Sequence, residues 1–347
     1  MEIGIGLDPT LGLSYEEQAQ VSAEAARAGY QSIWTPENIA EDSFLTCALR
    51  WQATRDVIPG GLGTGIGVSP VGLRTPMGFA MSAGTMGKMT GGRFVLGIGT
   101  GAAYNPQYRR TWNIRGSSTL GLMRDYLTTI RALLAGETVT HEGPSISLRG
   151  ARLAINPPPR TPVYLAALGP EMCRLGGELA DGISLNWCSA EQVAWSRERV
   201  AEGAERAGRD PKSIVVAEYI RVCVDEDVDV ARRSFTRSVM SYALGPLGVP
   251  AQSYRAHFER MGFAAELAHV DTLRARNAPE NEVVDAFPEA LLKNVGYYGP
   301  ASGAASAFQR LSEGLDTSIV RVVAARPGVE ATMSVLKACA PGAASAK

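Results

Sequence analysis

Short apolar runs alternate with longer amphipathic stretches along most of the chain. Each run has the length of a strand, and each following stretch repeats apolar residues at helical spacing. Eight such strands are predicted, at residues 3–7, 31–35, 62–68, 93–99, 163–168, 183–185, 214–224 and 318–324. Eight strand–helix repeats favour an α/β fold with a closed parallel barrel, the (β/α)8 or TIM barrel, over an open doubly wound sheet.

The stretch from 161 to 186 forms a complete strand–helix–strand unit. Its apolar run ends at Gly169, and Pro170 follows at a first helical position, where its missing N–H would have been unpaired anyway. Outward-facing backbone amides near Leu168 and Gly169 would then form a phosphate site at a helix N-terminus. The alternative is a plain helix start beneath a loop.

Two segments interrupt the alternation. Residues 138–148 predict a hairpin around Gly143-Pro144, and residues 245–295 predict an inserted helical excursion. No stretch has the composition of a domain linker, so a single barrel domain is expected over residues 1–347.

Composition narrows the range of partners. The chain has 347 residues and a formal net charge of −1, which does not favour nucleic-acid binding. Five dispersed cysteines indicate reduced thiols rather than disulfides or a zinc site, and neither a secretory signal nor a membrane span is evident. A cytoplasmic protein acting on a small molecule is therefore expected.

Active sites of such barrels form at the carboxyl ends of the strands. The residues found there are Asp8, Glu37, Asn38, Gly65, Ile66, Thr100, Gly101, Asn105, Ala167, Leu168, Gly169, Asn186, Glu218, Tyr219 and Arg326. The three histidines lie in the hairpin or the excursion, so neither a histidine-based triad nor a metal site is expected. A mechanism based on an organic cofactor fits better.

Several of these features have two readings. The segment GIGTG at 97–101 lacks the immediate helix of a dinucleotide fingerprint, so it is either a tight rim turn or a close approach of backbone to a flat ring. Alternating Gly63, Gly65 and Gly67 indicate either barrel packing or a ligand pressing on the strand. Asp8 and Glu37 are either acid–base groups or solvated rim carboxylates.

The phrases GRFVLGIGTG, PVYLAALGPEMCRLGGELADGISLN and VDEDVDVARR resemble the bacterial luciferase-like superfamily. Within it, the chain is most similar to the branch that includes the methylenetetrahydromethanopterin reductases, which use the 5-deazaflavin coenzyme F420. The resemblance extends from residue 1 to about 340 and is weakest across 245–295. It implies a TIM barrel that binds F420, with flavin mononucleotide (FMN) as the alternative cofactor.

The resemblance also implies roles for particular residues. A non-proline cis peptide at Gly65–Ile66 would bulge against the coenzyme ring. Backbone amides at Leu168 and Gly169 would hold the coenzyme phosphate. The remaining implied cofactor contacts are Asn38, Thr100, Gly101, Asn105, Ala167 and Asn186.

The chain departs from the superfamily at two places. Glu37 and Asn38 stand where several relatives carry an Asp-His pair. Ala102 replaces an acidic residue of a sugar-phosphate dehydrogenase relative. These departures argue against sugar-phosphate oxidation and leave the proton donor open.

The expected function is hydride transfer between F420 and an unidentified organic substrate, with Asp8 or Glu37 supplying or orienting a proton. One alternative is an FMN-dependent luciferase-like monooxygenase, and another is a barrel that binds a ligand without turnover. Because relatives are commonly dimers, the resemblance implies a homodimer.

Overall fold

The computed structural model describes residues 1–155, 161–248 and 253–341. Its strands are β1 (Glu2–Gly6), β2 (Ser32–Thr35), β3 (Gly63–Pro70), β4 (Phe94–Gly99), β5 (Val139–Glu142), β6 (Ser147–Ala151), β7 (Val163–Ala166), β8 (Gly182–Asn186), β9 (Val215–Val224), β10 (Gly296–Gly299) and β11 (Thr317–Val322). Its α-helices are α1 (Tyr15–Arg27), α2 (Ser43–Arg55), α3 (Pro76–Met89), α4 (Pro106–Thr111), α5 (Thr119–Leu134), α6 (Pro170–Leu179), α7 (Ala190–Arg206), α8 (Val228–Ala243), α9 (Ser253–Phe258), α10 (Ala264–Ala275), α11 (Glu280–Asp285), α12 (Glu289–Val295), α13 (Ala301–Leu311) and α14 (Val329–Ala338).

Eight parallel strands close into the predicted barrel. They follow the order β1-β2-β3-β4-β7-β8-β9-β11, and β11 pairs back onto β1. Each predicted apolar run overlaps one of these strands, because strands covered on both faces are continuous apolar segments in the sequence. The (β/α)8 prediction is confirmed.

Both predicted insertions are present. The hairpin consists of antiparallel β5 and β6, and Asp125 of α5 anchors it by accepting hydrogen bonds from the backbone amides of Ser145 and Ile146 at 2.8 and 3.2 Å. The excursion contains α9 to α12, with a π-helical turn at Glu259–Phe263. Residues 249–252 of that excursion lie outside the described residues.

Two elements were not predicted. β10 pairs with β9 outside the barrel order, and the short helix α4 begins at Pro106. Proline is compatible with this position because the first helical residue has no intrahelical acceptor for its N–H.

Aromatic side chains fill the interior of the barrel. Trp34, Tyr164 and Tyr219 are each at most 6% exposed and pack in one cluster. A Cβ at Gly65 would lie 2.4 Å from Trp34, and a Cβ at Gly67 would lie 2.8 Å from Tyr219. Barrel packing therefore accounts for these two glycines of β3.

Side-chain caps fix the start of the first helix in the outer layer. Ser14 and Glu17 form a reciprocal capping box at α1, in which each side chain accepts the other residue's backbone N–H. Among the helices of the described ranges, none combines the length and the apolar character needed to cross a bilayer.

Candidate active site

A cavity of about 320 Å³ opens where the carboxyl ends of β1, β9 and β11 meet the helix α8. Its polar lining consists of Asp8, Thr10, Arg221, Ser238, Ser241, Tyr242 and Arg321. Placement at the carboxyl ends of the strands agrees with the position of active sites in this barrel class. Of the predicted catalytic residues, Asp8 lines this cavity.

Asp8 is an ion-pair partner as well as a cavity residue. Its Oδ1 accepts a hydrogen bond from the backbone N–H of Thr10 at 2.9 Å, and its Oδ2 pairs with Arg321, whose side chain is 8% exposed. Burial lowers the pKa of Arg321 to about 10, so this guanidinium remains charged at neutral pH. The carboxylate therefore faces the cavity with one oxygen held by a buried cation.

Glu37 has a different set of partners. Its carboxylate forms a bidentate pair with Arg74, with both N–O distances at 2.6 Å, and its side chain is 1% exposed. Ser69 Oγ and the backbone N–H of Ser43 also donate to this carboxylate. Each Glu37 oxygen thus receives donors from the protein itself, an arrangement that fixes geometry.

The Glu37 network holds a bulge in β3. Between Ile66 and Ser69 the strand advances three residues while β4 advances two, and the backbone N–H of Glu37 donates to Val68 O at 3.2 Å. Gly67–Val68 is the cis peptide bond of this segment.

The predicted position of that bond, Gly65–Ile66, is wrong. β3 continues to Pro70, two residues beyond its predicted end, so the segment next to the mouth comes later in the strand. Ile66 is fully buried in the cluster that packs against the surrounding helices, and Trp34 covers the Cβ position of Gly65. Gly65 and Ile66 are therefore packing residues of the barrel wall.

The glycines of GIGTG accommodate the β3 bulge. A Cβ at Gly97 or at Gly99 would lie 2.8 Å from a methyl group of Val68. The close approach that the sequence suggested at these glycines is thus to the neighbouring strand.

The segment after β4 is tied together by its own side chains. Arg109 donates to the carbonyls of Ala103, Arg115 and Gly116 at 2.5 to 3.2 Å. Thr100 Oγ1 donates to Gly101 O at 3.1 Å. Asn105 Oδ1 caps α4 by accepting the N–H of Gln107 at 2.8 Å, which commits that oxygen to the helix start.

The predicted anion site lies at the start of α6. Gly169 is the N-cap without a side-chain cap, and a Cβ there would meet no atom within 4 Å. Arg260 of the π-helical turn donates to Leu168 O at 3.1 Å, which places a cation beside this helix start. Ala167, by contrast, is 2% exposed and donates its N–H to Ser184 O.

The two remaining predicted contacts are already hydrogen bonded. Asn186 accepts from Arg221 at 2.5 Å and donates to the Tyr254 hydroxyl at 2.7 Å, so it links the barrel to the excursion. Asn38 Oδ1 accepts the N–H of Ala40 at 2.7 Å in an exposed turn.

Sequence reasoning missed Arg221 and Arg321 as cavity residues. Both point inward on strands whose alternation places Tyr219 and Ile319 inside the barrel. Since side chains alternate between faces, an arginine two residues beyond an inward residue is also inward, and this parity could have identified both.

Two buried ionisable residues, Glu218 and His257, lie next to the loop that follows β8. Glu218 Oε1 accepts the N–H of Cys188 at 2.7 Å, and His257 Nε2 lies 2.9 Å from Trp187 O. Burial raises the pKa of Glu218 to about 8 and lowers the pKa of His257 to about 4. Both groups are therefore neutral at pH 7.

The described residues hold no cluster of three or more histidine, cysteine or acidic side chains able to bind a metal ion.

Comparisons with known proteins agree with this architecture. A model of the family described as luciferase-like monooxygenase matches residues 2–318. The 5,10-methylenetetrahydromethanopterin reductase of Methanolobus tindarius is 30% identical over 229 residues, which cover 65% of each chain, slightly less than two thirds of that relative.

Two solved structures share the fold. The coenzyme F420 dependent tetrahydromethanopterin reductase from Methanopyrus kandleri superposes with a TM-score of 0.75 at 19% identity over 98% of both chains. An F420-dependent secondary alcohol dehydrogenase in complex with an F420-acetone adduct superposes with a TM-score of 0.76 at 17% identity, over 99% of this chain and 98% of the other.

Proposed function

We propose that this chain, which belongs to the luciferase-like monooxygenase family, catalyses hydride transfer between coenzyme F420 and an organic substrate. The observation that carries the proposal is the uncapped start of α6 with Arg260 beside it at the mouth of the barrel. Named relatives that use F420 support this choice of coenzyme over FMN.

The residues present fit the phosphate of such a coenzyme. A helix start offers backbone amides and the positive end of the helix dipole to an anion. The empty space at the Cβ position of Gly169 leaves room for a ligand, and Arg260 adds a full positive charge. We therefore assign the phosphate to the amides around Leu168 and Gly169 and to Arg260.

The coenzyme ring would lie against the β3 bulge, as in the resemblance, but at Gly67 and Val68. The ring supplies a carbon that gives or accepts the hydride. The protein then binds, orients and excludes water, and Thr100, Gly101, Asn105 and Asn38 remain proposed contacts near the ring. We propose Asn186 as a positioning residue, because its side chain already holds Arg221 and Tyr254.

The two candidate acids divide by their contacts. Asp8 lines the cavity, so it remains the proposed group that supplies or orients a proton. Glu37 is saturated by Arg74, Ser69 and Ser43, so we propose that it positions the β3 bulge.

Titration of the purified protein with F420 and with FMN tests the proposal. Gly169→Asp should weaken F420 binding by at least tenfold, about 1.4 kcal/mol, because it places a carboxylate against the phosphate. Gly169→Ala is the matched control, since its methyl group meets no atom within 4 Å, and it should bind F420 as the wild type does.

Unchanged affinity in Gly169→Asp would refute the phosphate site. Binding of FMN with substrate-dependent oxygen consumption would select the monooxygenase instead. Tight binding of F420 without reduction of any candidate substrate would indicate a ligand-binding barrel that does not catalyse a reaction.

The homodimer and the cytoplasmic location are also retained as proposals. The dimer proposal is supported by large apolar side chains on the surface, which a second subunit of this chain would cover. They include Ile39, Leu45 and Met81, which are 83%, 73% and 57% exposed.

A further inference from the structure

Two arginines lie side by side inside the mouth of the barrel. Arg221 of β9 and Arg321 of β11 are register partners on adjacent parallel strands, and both line the cavity of about 320 Å³. Neighbouring strands are only about 4.8 Å apart, so like charges in register repel unless an anion lies between or beside them.

The two guanidiniums are unequally compensated. Arg321 pairs with the carboxylate of Asp8, whereas Arg221 donates to the uncharged Asn186 amide oxygen at 2.5 Å and has the phenol of Tyr242 as a further hydrogen-bond partner. Arg221 is 1% exposed, and no acceptor reaches its Nη2 within the described residues. A buried cation without an anionic partner is costly, because its hydration is lost and not replaced.

Aromatic rings hold Arg221 in place. Its guanidinium carbon lies 3.6 Å from the centre of the Trp187 ring and 5.0 Å from that of Tyr242. Stacking on ring faces orients a guanidinium and offsets part of its lost hydration, but it adds no negative charge. The side chain is thus preorganised and still lacks a counter-ion.

Nearby acids leave the cavity positive. Asp8 supplies one negative charge against the two arginines, and the raised pKa of Glu218, about 8 through burial, makes that carboxyl neutral at pH 7. Glu218 also belongs to the opposite face of β9 from Tyr219 and Arg221, where it receives the Cys188 amide. The lining therefore carries a net charge of one positive unit.

We propose that the substrate carries an oxyanion, a carboxylate or a phosphate group, which binds Arg221 in this cavity. That the bound anion belongs to the substrate rests on the proposed function, whereas the existence of an anion site is argued from the cavity and its arginines alone. Guanidinium groups match the oxygens of carboxylates and phosphates in charge and geometry. The serine hydroxyls of Ser238 and Ser241 on α8 add further polar lining at the same place.

Equilibrium titrations with benzoate and with inorganic phosphate, at constant ionic strength set by sodium chloride, test the site. Tryptophan fluorescence is the readout because Trp187 lies on Arg221, and the thermal midpoint is the second. Wild type should show saturable binding of at least one anion. Arg221→Met should raise its Kd at least tenfold, because the charge is removed while the length of the side chain is kept.

Two further variants separate this site from others. Arg27→Met removes an exposed arginine of α1 that pairs with Glu24, and the anion Kd of this variant should stay within about twofold of wild type. Arg260→Met should weaken phosphate only if phosphate occupies the start of α6. Benzoate binding lost in Arg221→Met identifies a carboxylate site, and phosphate binding lost in the same variant identifies a phosphate site.

Three outcomes would overturn the inference: no saturable binding of either anion by wild type, equal Kd values in wild type and Arg221→Met, or loss confined to Arg260→Met. Failure of F420 to bind, measured by the absorbance of its own ring, would reject the proposed function while an Arg221-dependent anion site still stood.

Discussion

Glu37 shows how one residue can be mistaken for a catalytic group. Its position after β2 is that of a catalytic residue, yet its carboxylate is held by Arg74 in a bidentate pair and by Ser69. Burial lowers the pKa of Arg74, and pairing with Glu37 more than offsets this, so the net change is upward. Such a pair specifies the geometry of the adjacent strand more than it adds stability.

Glu37→Gln should lower the free energy of unfolding by about 2 kcal/mol, because the Arg74 guanidinium loses its buried bidentate partner and keeps Asp42, whose side chain is 42% exposed, as its anionic partner. Urea denaturation measures the change. Glu171→Gln is the control, since Glu171 pairs with Arg174 at the surface with 66% of its side chain exposed, and its effect should stay below about 1 kcal/mol. Equal losses in the two variants would contradict the positioning role.

At the scale of elements, β3 is shaped by what packs on it. Trp34 occupies the space above Gly65, and Tyr219 occupies the space above Gly67. The small residues that weaken the strand locally therefore let large rings fill the barrel, which is why the interior is a packed core beneath the mouth.

Gly65→Ala should destabilise the protein by about 1 to 3 kcal/mol, since its methyl group would lie 2.4 Å from the Trp34 ring. Thermal unfolding followed by circular dichroism measures this. Gly78→Ala in α3 is the matched control, because the nearest atom to its added methyl group would be 3.5 Å away. This variant should be more stable than wild type by about 0.5 to 1 kcal/mol, since alanine favours the helix over glycine. A neutral Gly65→Ala would mean that the strand has unfilled space.

For the whole molecule, two buried neutral groups set a window of pH stability. The pKa of Glu218 is raised to about 8, so the folded protein keeps its proton at pH values where the unfolded chain has released it. The contribution of Glu218 to the free energy of unfolding is therefore complete below the ordinary pKa of 4.5 and is lost as the pH rises toward 8. His257 has a pKa lowered to about 4, so folding opposes its protonation and stability falls as the pH falls below 6.5. Between about pH 4.5 and 6.5 the two effects oppose each other with similar slopes, so the stability should be greatest across that interval and fall on either side of it.

Between pH 6.5 and 8, wild type should lose about 2 kcal/mol of unfolding free energy through Glu218, and Glu218→Gln should lose much less. Glutamine keeps an oxygen that can accept the Cys188 N–H, so the variant changes titration more than bonding. Urea midpoints at pH 6.5 and pH 8 measure the difference. Parallel pH curves for the two proteins would show that Glu218 does not titrate in this range.

The barrel was predictable because buried parallel strands read as unbroken apolar runs. The helix α4 was missed since six residues starting at Pro106 contain too little amphipathic repeat. The cis bond was misplaced by two residues because strand pairing decides where β3 ends, and the bulge shifts that pairing. Arg221 escaped notice because its importance depends on partners from α8 and the loop after β8.

The contact of Val68 with Gly99 makes two positions on neighbouring strands interdependent, because a Cβ at Gly99 would lie 2.8 Å from a Val68 methyl group and 3.0 Å from the Ala166 Cβ. Gly97 is constrained differently, since a Cβ there would lie 2.2 Å from the backbone oxygen of Ile66 whichever side chain stands at position 68. Efforts to redesign this wall for another coenzyme should therefore keep Gly97 and vary positions 68 and 99 together, and natural homologues should show covariation between those two.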